Sequence, residues 1–432
     1  MKKYFLFTLG FFAVCFFANA QKQPYETIIN GVKVIVQPSG NDIVEIRTII
    51  KGGVQNYPEN KAGIESLAMM ALTECGTMLR DKNSFKNQLD EVSARVFGYA
   101  GKDYATFTMN CIKSDFDTVW PLYIEALTKP KFDGSEFARV KQDAINKLNA
   151  LESEPDASID KYAEKVAFAG QDYAKDPDGT VAIINDLKPE ETKSYYDSVF
   201  TKSRLLIVIV ANLDSTELAS KLKTFLAGIK PGQPFVLKKS AYSTDQHKFA
   251  ATAKELSTNY IEGITGGPQP GSKDFTTFSI AMRIFGNRHF LEIRTNHGLS
   301  YAPQSWFSGS ATSSSRVAVS TTEPNKYIAV FNQLLNKIKK EGFTASEVKN
   351  MKTTYLTTFY YQQETNSAQA AVLAANEVLH DNWRRSIELM DEVKNITRSA
   401  VNKVFNTYMG NISWVYQGDT KKVNAILFTN NK

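Results

Sequence analysis

Histidine is scarce in this chain of 432 residues: His247, His289, His297 and His380 are the whole supply. No two stand at i, i+4 and none precedes His247, which excludes a helical pair of imidazoles for a metal. They read as lone surface or capping residues. A G-x-S-x-G elbow and a Walker loop are both absent, which removes two common designs for nucleophilic and phosphate chemistry. After the first twenty residues no apolar run approaches the length of a membrane span. The formal net charge is only +6 and evenly spread, which argues against nucleic acid as a partner. There are three cysteines, and Cys15 lies in the apolar N-terminal run. Cys75 and Cys111 are left either to pair in an oxidising compartment or to sit as buried thiols.

What is present begins with a leader. Lys2 and Lys3, the apolar run Tyr4 to Phe17 and the small-x-small Ala18-Asn19-Ala20 read as a secretory signal cleaved after Ala20, and the mature chain is expected in the periplasm or outside the cell. The rest looks duplicated. Phe132-Asp133-Gly134-Ser135-Glu136 before a long helical pattern recurs as Phe343-Thr344-Ala345-Ser346-Glu347 before another, each after an amphipathic helix (Ser114 to Lys129, Asn325 to Lys340). Each half opens with a strand ending in a glycine pair, Glu45 to Gly53 and Thr258 to Gly267, and closes with a helix and a last strand. This pattern predicts an α+β fold of two homologous domains, 21–235 and 243–432, each an antiparallel-rich sheet covered by helices, with a polar linker between Ile229 and Lys248.

Few stretches carry chemistry. The window Gly63 to Thr77 has the frame of an inverted zinc-motif helix, H-x-x-E-H before Gly-Thr, but contains no histidine. From Phe290 to Tyr301 an apolar helix end carries Arg294, Gly298 stops the helix and Tyr301 opens the next strand, so a guanidinium and a phenol can converge. Together they offer donors to a peptide carbonyl or an oxyanion, but on residue types alone the favoured reading is an arginine capping helix carbonyls and a tyrosine half-buried at a strand start. Gly266 to Gly271 lacks a following Lys-Ser/Thr and holds two prolines, so it reads as a turn. Glu152, Glu154 and Asp156 read as a solvated helix end. Phe97 to Gly101 reads as a bend before a strand, and such a strand at a sheet edge would be open to an extended peptide.

Nearly the whole mature chain resembles the pitrilysin/insulinase family of zinc peptidases, in the branch that includes the mitochondrial processing peptidase. The marks are Asn30-Gly31-Val32 to Val36, Lys51-Gly52-Gly53, Ala62-Gly63 to Gly76-Thr77, Pro130-Lys131-Phe132, Glu154-Pro155-Asp156, Gly267 to Gly271 and Arg294 to Tyr301. The resemblance implies two homologous domains forming half of a clam-shell chamber for peptides. Counting from Gly76-Thr77, it puts the zinc histidines and glutamate at Leu67, Met70 and Ala71, and counting from Pro155-Asp156 it puts the downstream glutamate ligand at Asn146 or Lys147. Every ligand place is vacant. Arg294-x-x-x-Gly298-Leu299-x-Tyr301 matches the pair that binds substrate backbone in the family, although Thr295 stands where a glutamate is common.

The resemblance therefore implies no metal and no catalytic residue in this chain alone, Arg294 and Tyr301 as substrate-binding residues, and zinc in a homologous partner subunit. The leading expectation is the zinc-free subunit of a heterodimeric metalloendopeptidase that orients extended peptide for its partner. A non-catalytic peptide- or protein-binding scaffold of the cell envelope is the alternative, and an active peptidase with an unrecognised metal site the third.

Overall fold

The computed structural model describes residues 23–430, so the expected signal segment lies outside the described residues. The first sheet is built from β1 (Tyr25–Ile29), β2 (Val32–Pro38), β3 (Ile43–Lys51), β4 (Arg95–Ala100), β5 (Tyr104–Ile112) and β6 (Leu205–Ala211), in the order β1-β2-β6-β3-β5-β4. The second uses β7 (Ser240–Ala241), β8 (Lys248–Ala253), β9 (Asn259–Thr265), β10 (Gln304–Ser308), β11 (Thr312–Thr321) and β12 (Ser413–Gly418), in the order β10-β11-β9-β12-β8, with β7 on β11. The two orders coincide once β1 is set aside. In each sheet the late strand returns parallel to an early one, β6 on β2 and β12 on β8, while the other pairs along the shared order are antiparallel. The polar segment expected to be a linker thus gives the second sheet one short strand, β7, paired with β11, and β8 starts at its end and finds its ladder on β12, far along the chain.

Local chemistry explains several of these elements. Asn30 and Gly31 both have positive φ, 49° and 86°, and close the β1–β2 hairpin as Asn-Gly turns do. At Gly53 (φ 51°) an added Cβ would lie 2.3 Å from the Lys102 carbonyl oxygen, so the glycine pair after β3 serves close backbone packing. The repeated Phe-x-x-Ser-Glu motif consists of helix starts. Asp133 accepts from the Ser135 and Glu136 amides ahead of the helix Gly134–Ser153, and Thr344 forms a capping box with Glu347 ahead of the helix Ala345–Tyr361. Later in each helix one lysine ammonium holds the carbonyls at the end of a neighbouring helix: Lys141 those of Asn185 and Leu187, Lys352 those of Lys394 and Ile396.

The halves are laced by an exchange of helices. Pro155–Ala167, between strands of the first sheet in sequence, packs on β9 and β12 of the second; Asn366–His380 packs on β3 and β6 of the first. Asn366 caps this arrangement, its amide donating to the carbonyl of Ile43 at 2.6 Å and to the side chain of Asn41 at 3.0 Å. Arg47 reaches the Ser367 carbonyl at 2.9 Å and Lys33 pairs with Glu377 at 2.6 Å. On the reciprocal side the buried Arg316 of β11 faces Asp160 at 2.7 Å, Glu262 at 3.0 Å, and Glu164. Burial, and then the neighbouring Asp160, push the Glu262 carboxyl well above the usual range, against the pull of Arg316.

Removing one member of such a buried set leaves the others uncompensated. Arg316→Ala is expected to cost about 3 kcal/mol of unfolding free energy. Urea denaturation checks this, and a loss below about 1 kcal/mol, the range of surface pairs, would mean the seam does not tie the halves.

Candidate functional site

The helix Phe275–Phe290 does not stop where the chain expects a simple glycine cap. Its end widens into a π-turn over Leu291–Asn296, with the His297 amide on the Glu292 carbonyl at 3.2 Å, and closes when Leu299 donates to the Ile293 carbonyl at 2.9 Å across Gly298 at φ 61°. Wide turns of this kind recur at functional sites. Here the turn presents Arg294, whose guanidinium lies 4.0 Å from the Tyr301 ring centre and 5.1 Å from that of Phe290. Stacking holds the planar cation by its faces and leaves its N–H edge unused. Neither that edge nor the Tyr301 hydroxyl has a hydrogen-bond partner among the described residues.

Tyr301 departs from the sequence reading. It is 78% exposed, in the corner ahead of β10, which begins only at Gln304. The buried Leu299 anchors the corner, and the phenol stands out on the guanidinium rather than packing at a strand start. A half-buried guanidinium and an exposed phenol thus stand together with their hydrogen-bond donors unspent.

The vacant zinc places are filled otherwise. On the helix Ile64–Glu74, Leu67 and Ala71 are fully buried and Met70 packs partly buried against the core. Asn146 and Lys147 lie on Gly134–Ser153, which packs on that helix; the Lys147 ammonium pairs with Asp178 at 2.6 Å, and Asp178 also accepts from the Ser66 hydroxyl at 3.0 Å. A hydrocarbon set with an ammonium beside it does not fit a zinc ion. Among the described residues, no group of three or more His, Cys, Asp or Glu side chains is placed to hold a metal.

The remaining candidates have structural partners. His289 is fully buried, between the Ser305 and Tyr327 hydroxyls at 2.9 and 3.2 Å, rather than at the surface, and burial pushes it down to about 3. His380 accepts from the Gly271 amide at 2.9 Å, His297 lies 3.3 Å from Glu292, and His247 accepts from the Ile412 amide at 3.2 Å. The run Gly266 to Gly271 is a loop. Glu154 is the corner between two helices, next to Pro155 in the first turn of the second. Cys75 and Cys111 are free, buried thiols, each pushed up to about 12 mainly by burial. Phe97 to Ala100 is not a bend but part of strand β4, which ends the sheet with Phe97 and Tyr99 each 44% exposed; the strand that follows, β5, lies inside the sheet between β3 and β4 and is not an edge.

The family models agree with this architecture. That of the insulinase family, peptidase family M16, matches residues 33–177, and that of the peptidase M16 inactive domain matches residues 186–355. The chain belongs to this family, and it is a homologue with an inactive zinc site. It is 19% identical over 88% of its length, and 94% of the relative's, to an uncharacterized zinc protease of Rickettsia bellii. To the non-peptidase homolog YmxG of Helicobacter pylori it is 22% identical over 79% of its length and 81% of the relative's. The crystal structure of a peptidase M16 inactive domain from Pseudomonas fluorescens superposes with a TM-score of 0.82 at 17% identity, covering 92% of this chain and 98% of that one, a likeness of fold.

One buried group gave no signal in sequence. Glu65 in the first turn of Ile64–Glu74 is fully buried; its Oε1 accepts from Tyr195 at 2.8 Å and Asn56 at 3.1 Å, and its Oε2 has no partner. Burial raises its carboxyl from 4.5 to about 7, against the pull of those hydrogen bonds and of Arg204. Below pH 4.5 the group is protonated folded or unfolded and contributes nothing. As pH rises toward 7 the unfolded chain releases the proton first, so stability falls by roughly 3 kcal/mol in all. Glu65→Gln is expected to flatten this fall and to unfold at higher urea than the parent at pH 8 but not at pH 4. Equal slopes in the two proteins would contradict a buried, neutral Glu65.

Proposed function

We propose that this chain is the zinc-free subunit of a heterodimeric endopeptidase of the periplasm or cell exterior. It completes the peptide chamber of a homologous zinc-bearing partner and holds an extended substrate there. Arg294 and Tyr301 donate to a backbone carbonyl of that substrate, fixing its position in the partner's active site. The single observation that carries this reading is the asymmetry of what remains. The metal places hold hydrocarbon, amide or ammonium side chains, whereas Arg294 and Tyr301 stay stacked without hydrogen-bond partners among the described residues, the arginine half-buried and the tyrosine exposed. A guanidinium kept only to cap its own helix would direct its N–H groups at helix carbonyls instead.

The test mixes the mature chain with a homologous H-x-x-E-H chain of the same organism and follows cleavage of a quenched peptide. The mixture is expected to exceed the zinc-bearing chain alone, with Arg294→Ala lowering the rate about a hundredfold and Tyr301→Phe by about tenfold. No gain on mixing, or variants that behave as the parent, would refute the proposal. Peptide captured without cleavage by any mixture would favour the envelope scaffold.

A further inference from the structure

The helices Ala345–Tyr361 and Arg385–Asn395 pack together, and a groove of about 440 Å³ lies between them, within the size range of small-molecule sites. Its floor is apolar: Val348, Val393 and Ile396 are buried and Leu356 is half-buried. Lys349, Lys352, Lys394 and Arg398 also line it, and no carboxylate among the described residues does. Four cations around one apolar slot add their fields there, which draws anions. Inside the chain these charges are barely offset. Lys352 spends its ammonium on the carbonyls of Lys394 at 2.7 Å and Ile396 at 2.9 Å, which carry no net charge. Arg398 donates from Nε to the Phe343 carbonyl at 2.7 Å, and its two terminal amino groups have no partner among the described residues. Lys394 lies 3.5 Å from Asp391, an exposed pair of little worth, and Lys349 has no acidic partner among the described residues.

The duplication supplies an internal control. Lys352 stands in its helix where Lys141 stands in Gly134–Ser153, and each binds two carbonyls at the end of a neighbouring helix, so this lysine belongs to the shared frame. The other three cations do not. Three residues before the shared lysine the first half has Ala138 in place of Lys349; Asn185 gives the carbonyl that Lys394 gives; and Pro189 follows Leu187 as Arg398 follows Ile396. Three positive charges thus exceed what the same frame needs to fold.

We propose that this groove binds a free amphipathic anion, a single apolar chain with a carboxylate or phosphate head. The chain lies along Val348, Leu356, Val393 and Ile396, and the head takes the free edge of the Arg398 guanidinium, which matches two anionic oxygens, with Lys349 or Lys394 beside it. The aliphatic stems of the lysines extend the apolar walls. A membrane surface would call for apolar side chains that protrude; here they are recessed below the cations, which suits one chain entering at a time. The site shares no residue with Arg294 and Tyr301 and stands independently of the subunit reading.

The test titrates the whole mature chain by calorimetry with decanoate and with decanol, which share an apolar chain and differ in the charged head, both below micelle-forming concentrations. Decanoate is expected to saturate one site per chain and to bind about tenfold tighter than decanol, the worth of one charge-assisted contact. The double variant Lys349→Gln, Lys394→Gln, at exposed positions, is expected to bring that ratio to near one by weakening decanoate alone. Thr353→Trp, exposed at the groove, is expected to fill the slot and abolish binding of both. Arg398 stays in place because its Nε also holds the Phe343 carbonyl. No saturable decanoate binding, decanol bound as tightly as decanoate, or a ratio unchanged in the double variant would overturn the proposal. So would phosphatidylglycerol vesicles that bind the parent and not the double variant while decanoate binds both alike, since the patch would then be a membrane contact.

Discussion

The helix exchange governs the rest of the molecule. Each sheet has one face covered by a helix from the other half, Pro155–Ala167 on β9 and β12, and Asn366–His380 on β3 and β6. Neither sheet can bury that face alone, so the halves are bound to fold against one another. The polar groups in the seam follow from the same constraint. A charge such as Arg316 can enter only with several acceptors around it, and Asn366 can replace water only by binding the backbone of the first sheet. These groups contribute alignment more than net stability: an apolar seam would stick as well, but would not fix which residue meets which.

Within that frame the two halves have diverged in opposite directions. The helix Ile64–Glu74 has become core, with Leu67 and Ala71 closed off from solvent. The ion pair beside it, Lys147 with Asp178, is partly exposed and worth no more than about 1 kcal/mol. Apolar side chains fill the space at the motif's places, and the charge beside them is incidental to stability. In the second half the π-turn at Leu291–Asn296 has kept a side chain whose stacking consumes none of its hydrogen-bonding capacity. Stacking on an exposed tyrosine contributes little to the fold.

Much was legible in the sequence because it is local. The Asn30-Gly31 turn, the caps at Asp133 and Thr344, the doubled order of strands and helices, and the missing histidines all depend on residues a few positions apart. Spacing alone was also enough to bring Arg294 and Tyr301 together, since one helix end and one short corner join them.

What tertiary structure decided lies in contacts between distant segments. Period and propensity cannot say which sheet a helix covers, so the exchange of Pro155–Ala167 and Asn366–His380, and β7 within what reads as a linker, were invisible. The burial of His289 and Glu65, the pairing of Lys147 with Asp178 and the free state of Cys75 and Cys111 depend on the same long-range placement. Sequence by itself determined that this chain cannot hold zinc at the motif's places, because lone pairs are a property of residue type. Whether its arginine is spent on its own helix or held free for another molecule depended on where two aromatic rings came to rest, and only the folded chain decides that.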